Sequence, residues 1–199
     1  MKYEEYLCQR TNTFKKTFEL LKDKDEICIV ELGTSRSFKS WGISSNLEDW
    51  HPNNPEMWAW SDGCFTKLFA DNLKDKKLTI YTIDPCSQAI KVVKTMIGDN
   101  TDVQILQMTS TDFLRDFQTN LGKIDLLYMD HLESGDTACK VHLQDSKIVI
   151  ERNLMSDEGI ILIDDCPEGS VGKGKLSIPY LLENGYKTIL HEYQMILIK

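Results

Sequence analysis

No two cysteines in this chain are spaced Cys-x-x-Cys, and no apolar run approaches the ~20 residues of a membrane span. No cluster of lysine and arginine dominates any stretch, and the start, MKYEEYLCQR, lacks the apolar core of a signal peptide. Each absence excludes something. Without paired thiols or a secretion signal, the six cysteines are expected to be reduced rather than a disulfide framework. A net charge of −8, from 31 acidic against 23 basic side chains, works against a nucleic-acid partner, because phosphate binding needs concentrated positive charge. The chain is expected to be cytoplasmic, with no membrane association. It also has no internal repeat, low-complexity segment or evident linker. Its 199 residues suit one domain that buries roughly 70% of the unfolded surface.

What is present is a series of short apolar runs, several of which end in an acid. ICIVELG (Ile27 to Gly33), LTIYTID (Leu78 to Asp84) and DVQILQM (Asp102 to Met108) alternate with helical patterns, and IDLLYMDH (124 to 131) and GIILIDDC (159 to 166) flank a longer one. YKTILHEYQMILIK closes the chain as two strand-like runs too close for anything but an antiparallel hairpin. The pattern predicts a doubly wound α/β fold: a Rossmann-like sheet, mostly parallel, with an antiparallel C-terminal hairpin strand. Residues 1–25 are expected to form a helical segment packed on a domain spanning 26–199. Between 34 and 61 lies an insertion that holds all four tryptophans, either packing over the sheet edge or acting as a lid or substrate wall.

Strand ends in a parallel sheet lie about 4.8 Å apart, so Asp130, Asp164 and Asp165 should converge at one carboxyl edge. Three acids around one point repel unless something positive sits among them. The expectation is a hard divalent cation, since oxygen-only ligands suit magnesium, manganese or calcium; the alternative is pairing with Lys173 and Lys175. Those lysines lie in CPEGSVGKGK, which comes one residue short of a phosphate-binding loop and has Leu176 where that motif needs Ser or Thr. The chain also lacks a Gly-x-Gly-x-x-Gly turn, which disfavours a nicotinamide dehydrogenase.

VELGTSRS (Val30 to Ser37), YTID (Tyr81 to Asp84), the Ser110 region, LLYMDH, LIDDC and the terminal hairpin together resemble the class I S-adenosylmethionine-dependent methyltransferases, over essentially all of 27–199. Within that family the pattern looks most like the metal-dependent O-methyltransferases of small molecules, catechol-type and macrolide- or sugar-type. The resemblance implies S-adenosyl-L-methionine as methyl donor, S-adenosyl-L-homocysteine (SAH) as product, and a hydroxyl of a phenol, sugar or polyketide-like molecule as acceptor. It makes Asp130, Asp164 and Asp165 magnesium ligands. The alternatives are a metal-independent methyltransferase and a non-catalytic cofactor-binding or scaffold protein. The cofactor is expected at Glu31, Gly33, Thr34, Ser35, Asp84, Thr109, Ser110 and Asp130, with Asp84 on the ribose hydroxyls and Thr109 or Ser110 either at the adenine edge or merely capping a helix. Ser37 stands where relatives have a second glycine. Leu132 and Glu133 replace the usual base, which leaves His131, beside Asp130, as first candidate for proton acceptor or substrate contact. A homo-oligomer remains open.

Overall fold

The computed structural model describes residues 1–199 apart from 40–42, 63, 119–121 and 171. Seven strands form one sheet: β1 (Glu26–Leu32), β2 (Lys77–Ile83), β3 (Val103–Leu106), β4 (Ile124–Met129), β5 (Met155–Ile163), β6 (Lys187–His191) and β7 (Met195–Ile198). Their order is β3-β2-β1-β4-β5-β7-β6, with β1 to β5 parallel and β7 antiparallel to both of its neighbours. The predicted terminal hairpin therefore inserts its last strand between β5 and β6.

The central strands β1, β4 and β5 are largely apolar on both faces because helices cover both. Ile27, Ile29, Leu126, Tyr128, Ile160 and Leu162 point to one side, against α1 (Thr11–Leu21), α2 (Phe65–Asn72) and α3 (Ser87–Ile97). Cys28, Val30, Leu127, Met129, Ile161 and Ile163 point to the other, against α4 (Ser110–Asp116), α5 (Asp136–Glu151) and α6 (Ser177–Glu183). This alternation is the two-residue period of a strand. Phe14, Phe65 and Phe69 are fully buried on the first face, each contributing roughly 1.5–3 kcal/mol by leaving water.

Register sets the site. Leu32 pairs with Ile83 and with Met129, and Met129 with Ile163, so Gly33, Asp84, Asp130 and Asp164 leave the sheet in one row. The strand order reverses between β1 and β4, which opens a crevice in the middle of that row.

Three local features bear on the site. Helix α2 starts from Cys64 in the left-handed region, and 60–62 before it form their own short 3-10 turn. The buried face of α5 is partly polar, with His142, Asp145 and Ser146 beside Ala138 and Val149. The tryptophan-rich insertion packs: Trp58 and Trp60 are buried, Trp50, Trp58 and Trp60 form a chain with centroids 5.2 and 5.6 Å apart, and Tyr3 and Tyr6 of the N-terminal segment lie on it. Trp41 lies outside the described residues.

Candidate active site

Two adjoining cavities lie at the crevice. The larger, about 760 Å³, runs over the β2 and β3 ends past Ile83, Asp84, Thr109 and Ser110 to His131, a volume typical of a small-molecule site. The smaller, about 110 Å³, is polar and lies between Gly33, Thr34 and the acids of β4 and β5. Asp84, His131 and Arg36 border both.

Gly33 has φ +87°, and a Cβ there would lie 2.6 Å from the His131 Cα. The glycine's freedom thus lets the β1 and β4 exits approach each other, rather than only making room for a ligand. Asp84 accepts from the Cys86 amide at 2.8 Å and the Thr34 amide at 3.3 Å, which aims its carboxylate while leaving it in contact with both cavities. The Thr34 hydroxyl is buried and has no hydrogen-bond partner among the described residues. A buried orphan of this kind costs about 1–3 kcal/mol unless a ligand satisfies it. Thr109 caps α4, its hydroxyl accepting from the Asp112 amide and donating to the Asp112 carboxylate; the helix-cap alternative describes it in this structure.

Glu31 and Ser35 border neither cavity. Strand alternation turns Glu31 inward, where Thr66 of α2 donates to it; burial pushes its carboxyl up to about 7. Ser35 is buried and bonds toward the Cys64 thiol.

His131 lies at the junction of the cavities, mostly buried. Its ring stacks on His142 at 4.2 Å, and its Nε2 is 3.1 Å from Asp145 Oδ2, close but out of line for a good hydrogen bond. His142, three residues before Asp145 on α5, pairs elsewhere. Its Nε2 donates to the His131 carbonyl at 3.1 Å, and burial, then the neighbouring imidazole, hold it neutral well below its usual range. Asp145 is tied instead to Thr111 at 2.6 Å.

The three β4–β5 acids do converge, but their partners are already in place. Asp164 has no exposed surface: Arg10 donates through Nε at 3.0 Å and Nη2 at 2.9 Å, Tyr128 through its hydroxyl at 2.7 Å, and the Asp165 amide at 2.9 Å. Lys173 donates to Asp130 Oδ1 at 2.8 Å and Asp165 Oδ2 at 2.9 Å, and Tyr193 donates to Asp165 Oδ1. Burial and then repulsion from Asp164 push Asp130 well above the usual carboxylate range, with Lys173 pulling against them. Burial would lower Lys173, but the two carboxylates outweigh it and hold the ammonium charged.

Among the described residues no group of three acid, histidine or cysteine side chains could hold a metal ion. The donor set does not fit the expected magnesium, because Asp164 has no lone pair left to offer and an ammonium stands between the other two acids. Arg10, 154 residues from its partner, carries no local sequence signal. Lys173 did, as the lysine of Gly-Lys-Gly. Arg36, bridged to Glu133 across the cavity mouth, was also missed.

No family model matches the chain. It is 25% identical over 103 residues, 52% of its length, to O-methyltransferase hkm8 of Aspergillus hancockii; the match takes in 38% of that protein, so the chain spans well under two thirds of it. The structure is similar to the SAH-bound Podospora anserina methyltransferase PaMTH1, with TM-score 0.58 and 15% identity over 100% of this chain and 86% of that one. It is similar also to a methyltransferase from Geobacter sulfurreducens (TM-score 0.56, 13% identity, 98% and 85% covered) and to the N-methyltransferase NodS of Bradyrhizobium japonicum (0.53, 12%, 96% and 94%). The chain has the Rossmann-like fold of class I methyltransferases.

Proposed function

We propose that this protein is an S-adenosylmethionine-dependent methyltransferase acting on a hydroxyl of a small molecule. The observation that carries the reading is the crevice at the strand-order reversal, where an open Asp84 carboxylate and an unpartnered Thr34 hydroxyl face one continuous space. Bound there, S-adenosylmethionine would supply an electrophilic sulfonium methyl group, with SAH as the leaving thioether. Asp84 would accept from the ribose hydroxyls, and Ile83 and Ser110, which line the larger cavity, would flank the base. Thr34 and the Gly33 backbone would hold the amino-acid end. His131 takes the proton leaving the hydroxyl, with Asp145 at 3.1 Å stabilising the imidazolium that results.

The acceptor class draws support from the partial likeness to a fungal O-methyltransferase and from the surplus of acidic charge, which disfavours RNA. Magnesium plays no part in this reading. Calorimetric titration with SAH should show one site per chain, and radiolabelled methyl transfer should appear on some member of a panel of phenols, sugars and polyketide alcohols. His131→Gln should lower that transfer by about 10²–10⁴-fold with SAH affinity nearly unchanged. Methylation confined to amine acceptors, or no binding of SAH, would refute the proposal.

A further inference from the structure

We infer that the Lys173 ammonium is the resident cation of the β4–β5 acid cluster, which closes the cluster to divalent metals and reopens it as a cation site when that charge is removed. The ammonium has three donors, and three acceptors meet it: Asp130 Oδ1 at 2.8 Å, Asp165 Oδ2 at 2.9 Å and the Asp130 carbonyl at 3.2 Å. Nothing about its placement is casual. Gly172, at φ +40°, lies so close to Asp165 that a Cβ would stand 1.7 Å from its carbonyl oxygen. The Lys173 amide donates to that same carbonyl at 3.2 Å, and the Cys139 thiol donates to the Gly172 carbonyl at 3.4 Å. Only glycine lets the loop come down this far, and the descent carries Lys173 between the acids with 4% of its side chain exposed.

Charge balance points the same way. Arg10 neutralises Asp164, and Lys173 is shared by Asp130 and Asp165, so even with all three acids ionised the cluster carries only one net negative charge. A divalent ion would have to displace an ammonium that is already fully hydrogen-bonded. With a neutral side chain at 173, two carboxylates and a carbonyl would surround one gap, and a contraction of roughly 0.2–1.2 Å would bring them to the ~2.0–2.6 Å of magnesium, manganese or calcium ligands. Because its donors are all engaged, Lys173 does not itself reach an acceptor hydroxyl.

The test is a manganese titration followed by the electron paramagnetic resonance of free Mn²⁺, on the full chain and independent of whether methyl transfer is detected. Wild type and Lys173→Arg should leave manganese free. Lys173→Met should bind one ion per chain at least about tenfold more tightly than wild type, and adding Asp165→Asn to it should abolish the gain. Wild type binding manganese as tightly as Lys173→Met, or a folded Lys173→Met that binds none, would overturn the inference. Should Lys173→Met fail to fold, wild type against Asp165→Asn decides: binding lost in the variant overturns it, and no binding by wild type supports it.

Discussion

The carboxyl edge of the sheet has two halves built from the same sequence device, a buried strand ending in aspartate, and they finish in opposite states. At the β2 end, Asp84 is steered by two backbone amides and left facing an open space beside an orphaned threonine hydroxyl. At the β5 end, Asp164 is enclosed by an arginine, a tyrosine and an amide, with no surface exposed. The difference lies in what the rest of the chain brings. Amides from the adjoining loops aim a carboxylate without consuming it, whereas cationic side chains from distant segments consume it. Openness to ligand is thus a property of the neighbours rather than of the acid.

The comparison can be broken most forcefully at Arg10. Arg10→Met leaves a buried Asp164 carboxylate uncompensated, and denaturant unfolding at neutral pH should show a loss of about 3–5 kcal/mol. A loss under about 1 kcal/mol would mean that the β5 half is not closed in solution. Glu31, inside β1 beneath the open half, has a folded pKa of about 7 against an ordinary 4.5. Between those values the folded state holds a proton that the unfolded state has released, so Glu31 removes stability as pH rises through this window. Glu31→Gln should escape that penalty, gaining on wild type by on the order of 3 kcal/mol between pH 4.5 and 8; unfolding curves at several pH values would expose a flat difference if the burial is wrong.

On the open side, Asp84→Ala should weaken SAH binding by roughly 10–100-fold while costing only about 1 kcal/mol of stability, the reverse of Arg10→Met. Thr109→Ala makes the smallest change. Loss of the cap should cost about 1 kcal/mol, with SAH affinity kept within about threefold. A larger fall in affinity would turn this threonine into a ligand contact and widen the open half.

Much of the framework was legible. Ile27 to Leu32 and Ile160 to Ile163 are short and, Glu31 apart, apolar on both faces, a combination that suits a strand between two helical layers. Their terminal acids followed from the same runs. The polar face of α5 was not legible, because His142, Asp145 and Ser146 are buried beside Ala138 and Val149 on one helix face, and no apolar period announces polar residues in the interior. The tryptophans were visible as a cluster, but packing or substrate wall was undecided until Trp58 and Trp60 were seen bonded through their ring nitrogens to the His51 and Pro55 carbonyls.

By itself the sequence determined the sheet, the direction of its strands and the row of acids at its edge, because hydrophobic periodicity and strand-end residues act within a few positions of themselves. Only the tertiary structure decided which of those acids stay available, because the arginine at position 10 and the lysine at 173 reach Asp164 and Asp130 across 154 and 43 residues of chain. Charge pairing depends on distance in space, and no local pattern encodes it.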